Sequence, residues 1–163
     1  MLKIYVTNLS LYNAGILHGE WIDLPCDKTE LDKKCNEISR NGKDELFITD
    51  YETDLEINKD EFANINALNE FTEDFEGLDE WQQETVKALL EYGYNIDEVI
   101  DKSEYCTLYE GMDFYDLAEE LINECYSVPE GLEYYIDYEK YARDLEYSGE
   151  YAEVSNGILY LGY

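Results

Sequence analysis

Apolar and β-branched residues cluster in three short stretches of the first 60 residues, at 3–7, 16–24 and 46–49, and such runs are typical of strands. Between the second and third stretches, Leu31, Cys35 and Ile38 recur at helical spacing behind Asp27, a residue type that caps helices. Residues 8–15, which include Asn8, Ser10, Asn13 and Gly15, are predicted to form a loop. Residues 1–60 are therefore predicted to form a small ββαβ unit.

The next stretch, residues 61–103, has the period of helices. Apolar residues recur every three or four positions from Ile65 to Phe75, and Gly77 is predicted to end that helix. A second helix is predicted over 79–92, with a buried face formed by Trp81, Thr85, Ala88, Leu89 and Tyr92. A short third helix follows Asn95 and ends near residue 102. This part is predicted to be a central helical subdomain.

Residues 104–163 mix both patterns. A strand is predicted at 105–110, and helices at 113–125 and 138–145, the latter capped by Asp137. Pro129 fits the first turn of another helix. Asn156-Gly157 between the apolar runs 151–154 and 158–163 is a strong hairpin signal. The fold class is therefore α+β, a chain of three small subdomains at 1–60, 61–103 and 104–163.

Charge changes this picture most. The chain has 163 residues with 40 Asp and Glu against 11 Lys and Arg, a formal net charge of −29 at pH 7. Residues 1–43 are neutral, so the excess lies wholly in residues 44–163. Such a chain repels nucleic acid and folds against its own repulsion, and a basic partner surface would offset that cost. A 15% aromatic content, mostly from 17 tyrosines, favours folding over disorder.

Hydrophobic runs, the N-terminus and the cysteines indicate in which cellular compartment the protein is expected. No apolar run approaches a membrane span, and the N-terminus lacks the pattern of a signal peptide. The four cysteines, Cys26, Cys35, Cys106 and Cys125, form no CxxC pair and are predicted to be reduced thiols. A cytoplasmic protein is expected.

Catalytic and metal-binding signatures are weak. His18 is the single histidine, no serine stands in a GxSxG context, and no phosphate-binding glycine loop is present. Asp50, Glu52, Asp54 and Glu61 occupy calcium-loop positions, but Leu55 stands where the sharp turn needs glycine. A zinc set of His18 and cysteines would have unusual spacing. We expect no catalytic residue, metal or cofactor, although paired carboxylates of a glycosidase or a halophilic surface stay open as alternatives.

The acidic residues suggest a function of their own. B-form DNA carries one charge per roughly 1.7 Å of axis, and a helix with an acid every three or four residues offers one per about 5 Å. Several such helices side by side approach a phosphate pattern, whereas a merely solvated acidic face is the ordinary alternative. The candidate mimic carboxylates are Glu70, Glu73, Asp74, Glu76, Asp97, Glu98, Asp101, Asp113, Asp116, Glu119, Glu120 and Glu124.

Two blocks carry a family resemblance. Residues 3–21 read KIYVTNLSLYNAGILHGEW and resemble the opening of the ArdA antirestriction proteins. Residues 132–145 read LEYYIDYEKYARDL and resemble the C-terminal antirestriction motif of that family, with Ala142 where the motif has glycine. Order, length and acidity are similar over essentially the whole chain.

The resemblance implies an elongated homodimer that mimics bent B-form DNA, fills the DNA-binding groove of type I restriction–modification enzymes and protects incoming DNA of mobile elements such as conjugative transposons. The implied partner is the methyltransferase core of the type I enzyme with its specificity subunit. The resemblance implies no direct binding to nucleic acid or to a membrane. The alternative is a generic acidic module that binds another basic protein. The resemblance places the following motif residues at or near the dimer interface: Tyr135, Ile136, Asp137, Tyr138, Tyr141, Arg143, Asp144 and Leu145.

Overall fold

The computed structural model describes residues 1–162 and combines helices with two antiparallel three-stranded sheets, which confirms the α+β class. The described chain forms two compact units. The first comprises residues 1–79 and 95–100, and the second comprises residues 80–94 and 101–163. The three predicted subdomains stay a prediction.

The first unit contains a sheet in the order β2-β1-β3. Its strands are β1 (Leu2–Asn8), β2 (Gly19–Leu24) and β3 (Leu46–Thr53), and its helices include α1 (Leu9–Asn13), α2 (Lys28–Ile38) and α3 (Ile65–Gly77). Alternate residues of central β1 are fully buried, as are Ile22 of β2 and Ile48 nearby, and α2 adds Leu31 and Ile38 to this core. The three strands and helix α2 follow one another in the predicted order, with the additional short helix α1 between β1 and β2.

The N-terminal loop prediction was wrong in part. Residues 9–13 form the short helix α1, because the Asn8 side chain accepts a hydrogen bond from the Leu11 amide and so caps it. The second strand begins at Gly19 rather than at residue 16. Gly19 pairs with Thr7, and a Cβ there would lie 2.4 Å from the Val6 carbonyl oxygen, so the close strand approach requires glycine.

The second unit contains α4 (Glu80–Tyr92) and a sheet in the order β4-β6-β5. Its strands are β4 (Thr107–Glu110), β5 (Tyr151–Val154) and β6 (Gly157–Tyr160), with helices α6 (Phe114–Cys125) and α7 (Tyr138–Ser148). Helix α5 (Ile96–Ser103) spans the division between the units. Leu117, Ala118, Ala142, Leu145 and Ile158 form a buried cluster of this unit.

The hairpin β5–β6 is confirmed, although Tyr163 of the predicted second strand lies outside the described residues. Asp137 caps α7 as predicted, and Asp113, predicted as the first residue of its helix, is the cap of α6. Pro129 does not begin a helix; it precedes a 3-10 turn at Glu133–Tyr135. In α4 the predicted face was partly wrong, because Trp81 and Tyr92 are about half exposed while Val86 and Leu90 are buried.

Candidate functional site

The twelve candidate mimic carboxylates lie on the surface. Eleven of them belong to exposed residues, and Glu120 is half-buried. Glu70, Glu73, Asp74 and Glu76 lie on α3, Asp97, Glu98 and Asp101 lie on α5, and the other five belong to α6 and its cap. Within residues 1–162, none of the twelve forms an ion pair with a Lys or Arg side chain. Their charge is therefore left uncompensated inside the chain.

The carboxylates that do pair are different ones. Asp23, Glu30 and Asp44 bind Lys3, Lys34 and Arg40 in the first unit. Glu84 and Glu139 lie beside Lys87 and Arg143 in the second. Five of the eleven Lys and Arg side chains take part in these ion pairs, and none of the five pairs with a candidate carboxylate.

Helix α6 brings several candidates together. Asp116, Glu119, Glu120 and Glu124 line one open surface depression of about 420 Å³, together with Met112 and Asn123. Burial raises the pKa of the nearby Tyr109 hydroxyl, and the Glu124 and Glu120 carboxylates raise it further. This surface is therefore strongly negative and would attract a cationic side chain.

Asp113 also caps the N-terminus of α6. Its side chain accepts hydrogen bonds from the Tyr115 and Asp116 amides, and the Asp116 side chain accepts one from the Asp113 amide in return. This reciprocal pair is a capping box, which satisfies amides that would otherwise lack a partner. Both carboxylates are thus held in place at the positive end of the helix dipole.

Helix α3 holds a second group. Glu70 and Glu73 line an open pocket of about 430 Å³ with Pro25, Asp27, Lys28 and other residues. At its inner wall, buried Asn69 accepts from the Cys26 amide at 2.8 Å and donates to the Cys26 carbonyl at 3.1 Å. These two hydrogen bonds hold the segment before α2 against α3. Sequence reasoning missed Asp27 and Lys28 as neighbours of Glu70 and Glu73, since they lie about forty positions apart.

The motif residues divide between core and surface. Leu145 is buried, Tyr141 packs against the buried cluster, and Asp137 accepts the Lys140 amide at 2.9 Å as the α7 cap. Burial raises the pKa of Tyr141. Tyr138 is half-buried, with its ring 6.0 Å from that of Tyr115. Ala142 is also buried, and alanine favours a helix more than glycine does.

The rest of the motif faces solvent. Tyr135 is 82% exposed, Arg143 and Asp144 are exposed, and the Arg143 Nε donates only to the Glu139 carbonyl of its own helix. Ile136 and Tyr141 line a mainly apolar depression of about 460 Å³, with Ile122, Tyr126, Ser127, Val128, Pro129 and Leu132. The motif thus joins a packed helix to an open apolar surface.

Residues 4–160 match the model of the antirestriction protein family ArdA. The chain belongs to the ArdA antirestriction family. A comparison with curated protein sequences finds no significant match. Membership of the ArdA family gives the chain an antirestriction function.

Two further observations concern alternatives. Within residues 1–162, no group of three or more His, Cys, Asp or Glu side chains is arranged to hold a metal ion. None of the helices described is both long and apolar enough to span a membrane. His18 is exposed, and the segment with Asp50, Glu52 and Asp54 continues strand β3 rather than a calcium loop between helices.

Proposed function

We propose that this ArdA-family chain inhibits type I restriction–modification enzymes by occupying their DNA-binding groove as a homodimeric DNA mimic. The observation that carries the proposal is the surface of twelve exposed or half-exposed carboxylates, none of which is paired with a base within residues 1–162. Their charge is therefore available to a cationic partner surface.

The electrostatics favour a DNA-binding partner. A groove that binds DNA carries lysine and arginine side chains at phosphate spacing, and the binding of phosphates dominates its affinity. A chain of charge −29 is drawn to such a groove at long range and excluded from nucleic acid itself. The inhibitor acts by binding, without a catalytic step, on the methyltransferase core and its specificity subunit.

Helix geometry supports mimicry by α6. Asp116, Glu120 and Glu124 follow each other at intervals of four residues, so they rise about 6 Å apart along one face of the helix. Glu119 widens this row. The row therefore offers about one charge for every two phosphates of one DNA strand, which lie about 3.4 Å apart in axial rise for each nucleotide.

The homodimer is the second part of the proposal. A symmetric interface uses the same patch on both subunits, and here it must join two chains of charge −29. The apolar depression beside Ile136 and Tyr141 offers such a patch with little charge of its own. Tyr126 and Leu132 in its lining are exposed and supply apolar area whose burial would stabilise the dimer.

A restriction assay tests the proposed target. Purified chain is added to a type I enzyme with unmodified DNA, and in parallel to a type II endonuclease that recognises a short site. We expect inhibition of the type I enzyme near stoichiometric amounts and no inhibition of the type II enzyme. Equal inhibition of both, or of neither, would reject the proposed target and favour a generic acidic interaction module.

A further inference from the structure

One region of this acidic chain carries no charge. Residues 4–19 contain no Asp, Glu, Lys or Arg and form the longest uncharged stretch of the sequence. They include the second half of β1, helix α1 and the turn before β2. Carboxylate mimicry gives this segment no role, although it belongs to the block that resembles the family opening.

Large apolar side chains are exposed in this segment, and two phenylalanines from outside it, Phe47 and Phe62, extend the aromatic contacts of Tyr12. The Tyr12 ring lies 5.2 Å from the Phe47 ring in an edge-to-face contact, and the Phe47 ring lies 6.2 Å from the Phe62 ring in a stacked one. Phe47 is buried between them, while Tyr12 and Phe62 are 50% and 59% exposed. Ile16 and Leu17, in the turn after α1, are 54% and 68% exposed. We call Tyr12, Ile16, Leu17, Phe47 and Phe62 the uncharged patch.

The segment that presents the patch is held firmly. Asn8 is fully buried, and its side-chain amide donates to the Ile38 carbonyl at 2.8 Å and to the Asp44 carboxylate at 2.9 Å. The Ile16 amide donates to the Leu11 carbonyl, and the Asn8 amide donates to the His18 carbonyl. A surface ordered before binding loses less conformational entropy when a partner covers it.

The charge of the chain selects the partner. A second copy is already assigned to the apolar depression of the second unit, and an anionic membrane or a nucleic acid would be repelled by the net charge of −29. A protein with a basic surface is attracted to the rest of the chain. Aromatic side chains that stay exposed on a rigid surface are the type that anchors protein interfaces.

We infer that the uncharged patch is a second contact with the restriction enzyme, which binds an apolar spot bordered by basic residues next to the DNA-binding groove. This inference rests on the proposed function and adds to it a contact that does not depend on charge. The carboxylates supply attraction that salt screens, and the uncharged patch supplies attraction that salt leaves nearly unchanged.

Binding to the DNA-free methyltransferase core of a type I enzyme, titrated at several salt concentrations, tests the inference. The first variant carries Tyr12→Ser and Phe62→Ser, and the second carries Leu17→Ser. Both variants keep the net charge of −29. Tyr105→Ser is the matched control, since Tyr105 is 69% exposed in the other unit. A fourth variant neutralises Asp116, Glu119, Glu120 and Glu124. Thermal unfolding shows which variants remain folded.

We expect both patch variants to bind about tenfold more weakly at every salt concentration, with the salt dependence of the parent. The neutralised variant should show a weaker salt dependence than the parent, and Tyr105→Ser should bind like the parent. If the double variant fails to fold, Leu17→Ser decides, because its side chain is mostly exposed.

Three results would overturn the inference: parent-like affinity of the folded patch variants, an equal loss for Tyr105→Ser, or a loss of self-association in place of enzyme binding. Failure of the parent to bind the enzyme would instead reject the proposed function.

Discussion

A single buried asparagine organises the N-terminal end of the first unit. Asn8 is fully buried, and its side chain joins the start of α1, the Ile38 carbonyl at the end of α2 and the Asp44 carboxylate. A buried polar group that loses its partner costs about 1–3 kcal/mol, so each of the groups bound to Asn8 depends on it.

Replacement of this residue should destabilise the protein. Asn8→Ala removes the cap of α1 and leaves the Ile38 carbonyl without its donor, so we expect the free energy of unfolding to fall by about 1–3 kcal/mol. Urea unfolding of the variant measures this. Asn13→Ala is the control, because Asn13 is exposed at the end of the same helix. Equal stability of the two variants would contradict the role given to Asn8.

The ionisation of Asp44 should make the stability of the fold depend on pH. The Arg40 guanidinium, with help from the Asn8 amide, holds the pKa of the Asp44 carboxyl well below its usual range. A carboxyl whose pKa is lower in the folded state stabilises the fold above its unfolded pKa of about 3.9, and that stabilisation is lost as the pH falls toward the folded pKa.

Asp44→Asn should therefore be less stable than the parent at neutral pH, and the difference should narrow as the pH falls below about 4. Thermal unfolding of both proteins between pH 7 and pH 2 measures the difference. A gap that stays constant down to pH 2, or widens there, would show that the Asp44 carboxylate is not held by Arg40 and Asn8 in this way.

At the scale of elements, α6 combines a structural and a proposed binding role. Asp113→Ala removes the cap and should lower stability by about 0.5–2 kcal/mol, whereas Asp113→Asn keeps a good capping residue and should stay close to the parent. Both variants lose the same charge, so they should bind the target enzyme equally. Unfolding and binding measured on the same samples check this. A difference in affinity that follows stability would mean that the cap, not the charge, matters for binding.

The acidic row of α6 should show opposite effects on folding and binding. Asp116 with Glu120, and Glu120 with Glu124, repel each other at intervals of four residues, which destabilises the helix by about 0.2–0.5 kcal/mol per pair. Neutral Asn and Gln at Asp116, Glu119, Glu120 and Glu124 should therefore raise stability slightly while weakening binding at least about tenfold. Each single change should have little effect, since exposed pairs contribute about 0–1 kcal/mol.

Thermal unfolding and a binding titration of the single and combined variants test this prediction. Complete loss of binding from one of the single changes, in a folded variant, would indicate a discrete active site instead of a distributed mimic surface. Unchanged binding of the combined variant would remove α6 from the mimic surface.

The elements also show what the sequence could predict. Asp113, Asp137 and Asn156-Gly157 act through neighbours two or three positions away, so their helix starts and hairpin were predicted correctly. Trp81 and Tyr92 were placed on the buried face of α4 wrongly, because only the packed unit decides which side of an amphipathic helix is covered.

The surface was predictable in kind but not in detail. Charged residue types are rarely buried, so exposure of the candidate carboxylates followed from the sequence. The pairing of individual acids did not follow from the sequence. The Glu91 carboxylate, for example, accepts hydrogen bonds from the Ser155 amide and hydroxyl, both at 2.7 Å and across 64 positions of sequence. Such tertiary partners decide which acids stay available to a partner. The uncharged patch likewise depends on Phe47 contacting both Tyr12 and Phe62 in the folded unit.

At the scale of the whole molecule, assembly must overcome charge. The proposed dimer depends on the apolar depression beside Leu132 and Ile136. Leu132→Ser should raise the dimer dissociation constant about tenfold or more, because Leu132 is exposed in the chain and its burial would remove apolar area from water. Sedimentation at several concentrations measures this, with Tyr147→Ser as an exposed control on α7.

A parent that stays monomeric at high concentration would remove the dimer from the account. Unfolding of Leu132→Ser would show instead that the segment belongs to the core of the second unit. Arg143→Glu, which adds a negative charge to an exposed motif position, should weaken the dimer in the same measurement.

The central claim is that carboxylates of this chain take the place of DNA phosphates, and displacement of DNA tests it most directly. A fluorescently labelled duplex with the recognition site is bound to a type I methyltransferase core, and the unlabelled chain is added while anisotropy is followed. We expect complete release of the duplex, and the apparent affinity of the chain for the methyltransferase core should fall steeply as the salt concentration is raised. Binding of the chain to the enzyme with the duplex still in place would contradict the account.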